Sequence, residues 1–203
     1  MLIVGLTGGI ASGKSVITKA LQKEPGIVVV DADKVAWEAY KPGNKVYKKL
    51  VEHFGREILK KNGEIDRKKL GQIVFSDARE RKFLNAVVHP AVSKKLRELA
   101  EKYEAGGFEL MIVEAALLLE SGHVDRSLFD CFVLVKVGPE EQIRRLMARD
   151  GINRQEALKK IKAQTSQEEK LKRADYVIDS SGSPKDTIAR ARKLFKQLRK
   201  KLS

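Results

Sequence analysis

The chain opens on an apolar run, LIVGL, which stops at a glycine-rich stretch. Apolar runs return at GIVVVDAD, FELMIVEAALLLE, CFVLVKV and ADYVID. Short runs of this kind, rich in β-branched residues, are the pattern of strands buried on both faces. Between them the spacing changes to that of amphipathic helices. Lys14 to Gln22 reads as the first helix. The last, SPKDTIARARKLFKQLRKKL, puts Ile188, Phe195, Leu198 and Leu202 along one face and leaves a basic outer side. Five strands separated by helical segments predict an α/β fold with a doubly wound, five-stranded parallel sheet. Ligands of such sheets collect at the carboxyl ends of the strands.

Two intervals are too long for simple crossovers. From Asp33 to Phe108 there are about four helical patterns, among them VYKKLVEHFG and AVSKKLRELAEKYEAGG, and no convincing strand. This predicts a helical lobe at the edge of the sheet, suited to a second substrate. From Gly138 to Ala174 the pattern is again helical and rich in arginine. GPEEQIRRLMARDGINRQEALKKIKAQ reads as two helices joined at Asp150-Gly151, with Gly138-Pro139 as a hinge-like start. The expected organisation is a single domain with a core of residues 1–33, 108–137 and 174–203, a helical lobe of about 34–107 and a lid of about 138–164. The 203 residues suffice for one substantial core with an inserted lobe. No internal repeat or low-complexity linker interrupts them.

Composition narrows the setting. Hydrophobic residues make up 42% of the chain, which argues against disorder. The lone Cys131 has no intramolecular disulfide partner, and MLIV is too short for a signal segment. With no apolar run of membrane length, the expectation is a soluble cytoplasmic protein without a membrane partner. The formal charge of +14 suits either a nucleic-acid binder or an enzyme with polyanionic substrates. The basic residues are spread over many helices rather than gathered in one block, so charge alone leaves both readings open.

The chemistry begins at GLTGGIASGKSV. Gly8-x4-Gly13-Lys14-Ser15 fits the loop that joins a strand to a helix and cradles a polyphosphate. Gly8, Gly9 and Gly13 allow successive N–H groups to face the phosphates at the positive end of the following helix, and Ala11 and Ser12 contribute through their backbone. Lys14 is placed to bridge the β- and γ-phosphates and Ser15 Oγ to ligate Mg²⁺. The pattern argues against a GTPase: NKVY at Asn44 lacks the base-reading Asp, and DSSG at Asp179 comes too late in the chain. Asp31 and Asp33 end the second strand, taken here to lie beside the loop strand. One of the two is placed to accept a proton from an attacking hydroxyl, while capping of the next helix is the other use of such residues. Asp31 suits the cap and Asp33 the base.

In order along the chain, GLTGGIASGKS, VVVDADKVAWE, GEIDRKKLGQIVF, LNAVVHPAV, VEAALLLESG, EEQIRRLMARDG and KAQTSQEEKLKRADYVID resemble the successive motifs of the dephospho-CoA kinase family. The resemblance runs from Leu2 to about Gly182. It implies a P-loop fold with a CoA-binding helical lobe and a lid, and ATP-dependent phosphorylation of the ribose 3′-hydroxyl of dephospho-CoA. ATP with Mg²⁺ and dephospho-CoA are then the small-molecule partners; no specific nucleic acid is expected, and an oligomer is left open. Asp33 takes the family's general-base place and Ala11 to Val16 its ATP-phosphate place, with Gly9 in the same loop. Asp31, Arg67 and His89 fall on the acceptor side, and Arg145 and Arg149, one helical turn apart, fall in the lid. Gln164 resembles the glutamine that ends the lid near the nucleotide base, and Glu114 stands beside Ser15 as a metal-side residue. For His89 the alternative is a helix-start residue ahead of Pro90.

The chain departs from the family's pattern at several places. Ala11 stands where Gly is usual, and its methyl group narrows the loop's allowed backbone conformations. Val16 stands for a common Thr, Glu114 for Asp, Ala116 for Pro, and DSSG replaces an Asp-Asn pair near Asp179. Two rivals remain at this point. One is another small-molecule kinase of the nucleoside monophosphate or shikimate type. The other is a P-loop ATPase stimulated by nucleic acid.

Overall fold

The computed structural model describes residues 1–115 and 125–202, without the side chain of Leu202. The parts of the expectations that rest on residues 116–120, on Ala116 and on the Leu202 side chain lie outside the described residues. Five strands form one sheet: β1 (Leu2–Thr7), β2 (Ile27–Asp31), β3 (Leu110–Glu114), β4 (Cys131–Lys136) and β5 (Tyr176–Asp179). Their order is β2-β3-β1-β4-β5 and the pairings are parallel, which is the sheet the apolar runs predict.

The order corrects one expectation. β2 does not lie beside the loop strand; β3 intervenes, with Leu6 of β1 paired to Glu114 and Glu114 in turn to Asp31. The pattern of burial explains the exchange. Leu110 to Val113 of β3 are fully buried and need neighbours on both sides, whereas Val28 and Val29 of β2 are half-exposed and suit an edge. β2 also ends at Asp31, so Asp33 is not on the strand. It lies in the first turn of α2 (Ala32–Ala39).

The described chain divides into two compact units, one of residues 1–31, 100–115 and 126–202, the other of 32–99 with Asp125. In the first, α1 (Lys14–Leu21) and the C-terminal helix α9 (Pro184–Leu202) cover one face of the sheet. Ile17, Leu21, Ala191, Phe195 and Leu198 join Val4, Leu6, Ile112 and Val133 in its core. Ala191 fills the turn before Phe195 on this face, while Ile188 is only half-buried. The same unit carries α6 (Pro139–Asp150), α7 (Arg154–Lys162) and α8 (Gln167–Leu171). Gly151, in the left-handed region at φ 65°, ends α6. Asn153 and Glu156 form a reciprocal capping box at the start of α7, as the break at Asp150-Gly151 predicts. The short α8, capped by the Ser166 side chain, is a third helix that the periodicity did not separate.

The second unit is helical: α2, α3 (Lys45–Phe54), a 3-10 turn at Arg56–Ile58, α4 (Arg67–Ser76) and most of α5 (Ala78–Ala105). Val46, Leu50, Phe54, Ile58, Leu70, Val74 and Val88 form its own core. Its limits differ from the expected 34 and 107 because α5 is one unbroken helix, whose last turns belong to the sheet unit. Pro90 lies inside α5, so His89 does not start a helix, and that alternative is withdrawn. Proline removes the N–H that would reach the Ala86 carbonyl. Both Pro90 and Ala86 are exposed, so water can donate to that carbonyl in place of the missing N–H. Among the described residues no helix is long and apolar enough to cross a membrane.

Phe195 is 1% exposed and joins α9 to the sheet core. Phe195→Ala is expected to lower the unfolding free energy by about 3–5 kcal/mol in urea titrations. Phe75 on α4 is 82% exposed, and Phe75→Ala should stay within about 0.5 kcal/mol of the parent.

Candidate active site

The loop between β1 and α1 is shaped by close approach. A Cβ on Gly8 would lie 2.5 Å from the Val135 carbonyl oxygen and 2.6 Å from Ser12 Oγ, so only glycine lets the loop lie against β4. Ser12 is 2% exposed, and its Oγ has no hydrogen-bond partner among the described residues. The Ser12 carbonyl accepts from Ser180 Oγ at 2.7 Å. Gly13 stands at the helix start with φ 92°, α1 has no acidic residue in its first turn, and no side chain caps it. The donor end of α1 is therefore available to an anion. Lys14 Nζ donates to the Gly8 carbonyl at 2.7 Å and to that of Gly9 at 3.4 Å, which keeps the ammonium on the loop. Ser15 is exposed and Val16 half-buried. Ala11 has φ 58°, making it the one residue other than glycine in the left-handed region among the described residues.

Helices α6 and α7 are docked on this loop. Ile10 and Ala11 pack against Ile143, Leu146 and Ala157 of α6 and α7. Arg145 Nη2 donates to the Ser180 carbonyl at 2.7 Å, and its Nη1 is 3.6 Å from the position a Cβ on Gly13 would take. Glu141 steadies Arg145 through Nε at 2.7 Å. Hydrogen bonds from Arg144 and Arg145 push the Glu141 carboxyl down to about 2. Arg149 does not join Arg145: its Nε donates to Asp150 at 2.8 Å and it is exposed. Gln164 Oε1 accepts the Ile10 N–H at 2.8 Å, so its amide oxygen is engaged by the loop.

Glu114 ends β3 one strand from the loop, with Asp31 beside it in register. The described residues hold no group of three His, Cys, Asp or Glu side chains able to bind a metal ion. Hard oxygen donors such as Ser15 Oγ and a carboxylate suit a Mg²⁺ that keeps its waters and phosphate ligands, and do not form a cage of their own.

In the helical unit, Asp66 accepts from the Lys68 and Lys69 N–H groups and so fixes Arg67 at the first position of α4. The Arg67 guanidinium lies 4.2 Å from the centroid of the exposed Trp37 ring. Tyr40 feels both Asp33 and Arg67. Burial, then the Asp33 charge, push its phenol up to about 12, with Arg67 opposing. Asp33, Trp37 and Tyr40 follow at helical spacing, so Arg67 and the base candidate share one electrostatic neighbourhood. His89 is half-buried on α5, between Val88 and Ala91, which pack in that unit's core.

Sequence reasoning assigned no role to Gln142, Ser180, Trp37 or Tyr40. Ser180 sits in DSSG, where Asp179 accepts the Ser181 N–H at 2.8 Å and so shapes the turn. Its signal was the unusual serine pair after the last strand. Trp37 and Tyr40 had the i+4 and i+7 spacing from Asp33 as theirs.

The strand order and the anion-receptive loop before α1 define the class: a P-loop kinase fold. A shikimate kinase from Bacteroides thetaiotaomicron shares that fold, with a TM-score of 0.54 at 17% identity over 97% of this chain and 98% of that one. The chain belongs to the dephospho-CoA kinase family, whose description, Dephospho-CoA kinase, matches residues 2–186. It is 47% identical to the dephospho-CoA kinase of Bacillus licheniformis over 96% of this chain and 95% of that protein. With the dephospho-CoA kinase of Carboxydothermus hydrogenoformans the identity is 45%, over 91% and 88%. The solved dephospho-CoA kinase from Campylobacter jejuni superposes with a TM-score of 0.70 at 28% identity, covering 99% of this chain and 98% of that one.

The raised Tyr40 pKa has a consequence for stability. The unfolded phenol titrates near 10 and the folded one near 12, so the folded state holds the extra proton in that window. Its contribution is complete below pH 10 and is lost as pH rises toward 12. In denaturant titrations across this range, Tyr40→Phe should lose stability less steeply with pH than the parent. Parallel curves would show that Tyr40 ionises as easily folded as unfolded.

Proposed function

We infer that this chain transfers the γ-phosphoryl group of ATP to the ribose 3′-hydroxyl of dephospho-CoA, giving coenzyme A in the last step of its synthesis. The observation that carries the reading is a P-loop with Lys14 on its carbonyls, in a chain whose full-length relatives are dephospho-CoA kinases. A reducing, cytoplasmic setting suits it, since the lone Cys131 is buried and burial pushes its thiol up to about 11.

On this reading Lys14 exchanges the Gly8 and Gly9 carbonyls for the β- and γ-phosphate oxygens, while the amides of residues 11–16 and the start of α1 bind the rest. Arg145 carries permanent positive charge to the phosphoryl group in flight, held ready by Glu141. Arg149 reaches the same charge only by giving up Asp150. Asp33 accepts the hydroxyl proton, and Asp31, Arg67 and His89 serve the acceptor. Ser15 and Glu114 would hold the Mg²⁺ that arrives with ATP. At those side chains it would supply positive charge against the phosphates. Gln164 belongs to the nucleotide side.

The direct test is ADP release from ATP with and without dephospho-CoA; release that ignores the acceptor would overturn the assignment. Lys14→Ala should abolish transfer at saturating ATP, and near-normal turnover would remove the loop from the chemistry. Asp33→Asn keeps size and loses proton acceptance, so kcat should fall by roughly 10²–10⁴-fold while dephospho-CoA still binds in calorimetry. A kcat within about threefold of the parent, with the large loss appearing in Asp31→Asn, would move the base to the other carboxylate.

A further inference from the structure

One residue of the loop, Ile10, is gripped on both of its peptide groups by the lid. Gln142 of α6 donates its Nε2 to the Ile10 carbonyl at 2.8 Å. Gln164, just past α7, accepts the Ile10 N–H at 2.8 Å. The chemistry fixes which end of each amide faces the loop, because a carbonyl only accepts and an N–H only donates. The next residue is Ala11, held at φ 58° where an L-residue with a Cβ is unfavourable. A Cβ on Gly9 would lie 2.8 Å from Gln142 Nε2 and 3.5 Å from Gln164 Oε1, so both amides lie directly over the loop backbone.

We propose that Gln142 and Gln164 are positioning residues that act as a two-point latch. By holding the Ile10 peptide they keep Ala11 in its left-handed turn, and the phosphate-binding shape of the loop then depends on a docked lid. The proposal rests on the ATP-kinase reading and adds to it a coupling between lid docking and nucleotide affinity. It also replaces the base-side role that family resemblance suggests for Gln164, whose amide oxygen is engaged by the loop.

The two amides have opposite duties, and this makes the latch testable. Gln164→Glu keeps an acceptor for the Ile10 N–H and should raise KM for ATP several-fold less than Gln164→Ala does. Gln142→Glu replaces a donor by a carboxylate facing a carbonyl and should raise KM by about 5- to 30-fold, as should Gln164→Ala, with kcat changed far less. The strain supplies a second readout. Glycine adopts positive φ without steric cost, so the effect of Gln164→Ala on KM should shrink to under about threefold when both chains carry Ala11→Gly.

The assays use the full chain, with ATP Kd by calorimetry, ATP and GTP compared as substrates, and thermal melts to confirm folding. Equal tolerance of Glu at both positions, or an undiminished Gln164→Ala effect in the Ala11→Gly background, would overturn the latch. So would a Gln164→Ala effect confined to ATP and absent with GTP, which would return Gln164 to the base. Failure of the parent to bind ATP at all would instead sink the kinase reading beneath it.

Discussion

A phosphate-binding loop must keep most of its amides available, so it has to be held largely through its carbonyls, with the Ile10 N–H, taken by Gln164, as an exception. This constraint organises the sheet unit. The Ser12 carbonyl is taken by Ser180 Oγ, those of Gly8 and Gly9 by Lys14 Nζ, and that of Ile10 by Gln142 Nε2. Behind the loop, β1 is central in the sheet, with Val4 and Leu6 fully buried. Close-packed surroundings of this kind leave little room for the loop to relax toward an ordinary turn.

The arrangement of α6 and α7, the expected lid, follows from the same requirement. Its exposed ion pairs, Arg154 with Glu140 and Lys160 with Asp150, contribute little to stability in water. What they do is fix where cations point. Asp150 takes both Lys160 and Arg149, and Glu141 takes Arg144 and Arg145. Arg145 alone of the two family arginines is thereby directed to Ser180 and the loop. The excess of basic residues is thus partly a supply of oriented charge and partly a solvated surface, such as the exposed lysines of α9.

The strands and the phosphate loop were legible because their signals are local: a continuous apolar run, a glycine pattern, a following helix. Strand order was less so. Only the half-exposed Val28 and Val29 hinted that β2 would be an edge, and half-exposure is not visible in a run of valines. α5 hid its course because no glycine or charge break marks the point where it returns to the sheet unit, and Pro90 reads as a boundary although the helix continues through it. Arg145 and Arg149 have equivalent spacing, and Asp150, adjacent in sequence to one of them, decides between them in space. The roles of Gln142 and Ser180 depend on meeting Ile10 and Ser12, more than a hundred residues away.

Ala11 shows how such a contact turns an apparent defect into a working part. The left-handed conformation costs an alanine about 1–2 kcal/mol. Against this, its methyl group packs with the Ile143 and Leu146 cluster, and one buried carbon contributes about 0.8 kcal/mol. An alanine also loses less chain entropy on folding than glycine, by about 0.4–1 kcal/mol. The terms nearly cancel, so the substitution costs the fold little. Their locations differ, however. The strain sits in the loop, whereas the methyl contact exists only against α6 and α7. With α6 and α7 packed on Ala11 the balance is close to neutral; without that contact only the strain and the entropy would remain. Glycine would let the loop keep its shape independently of the lid, and alanine makes the two depend on each other.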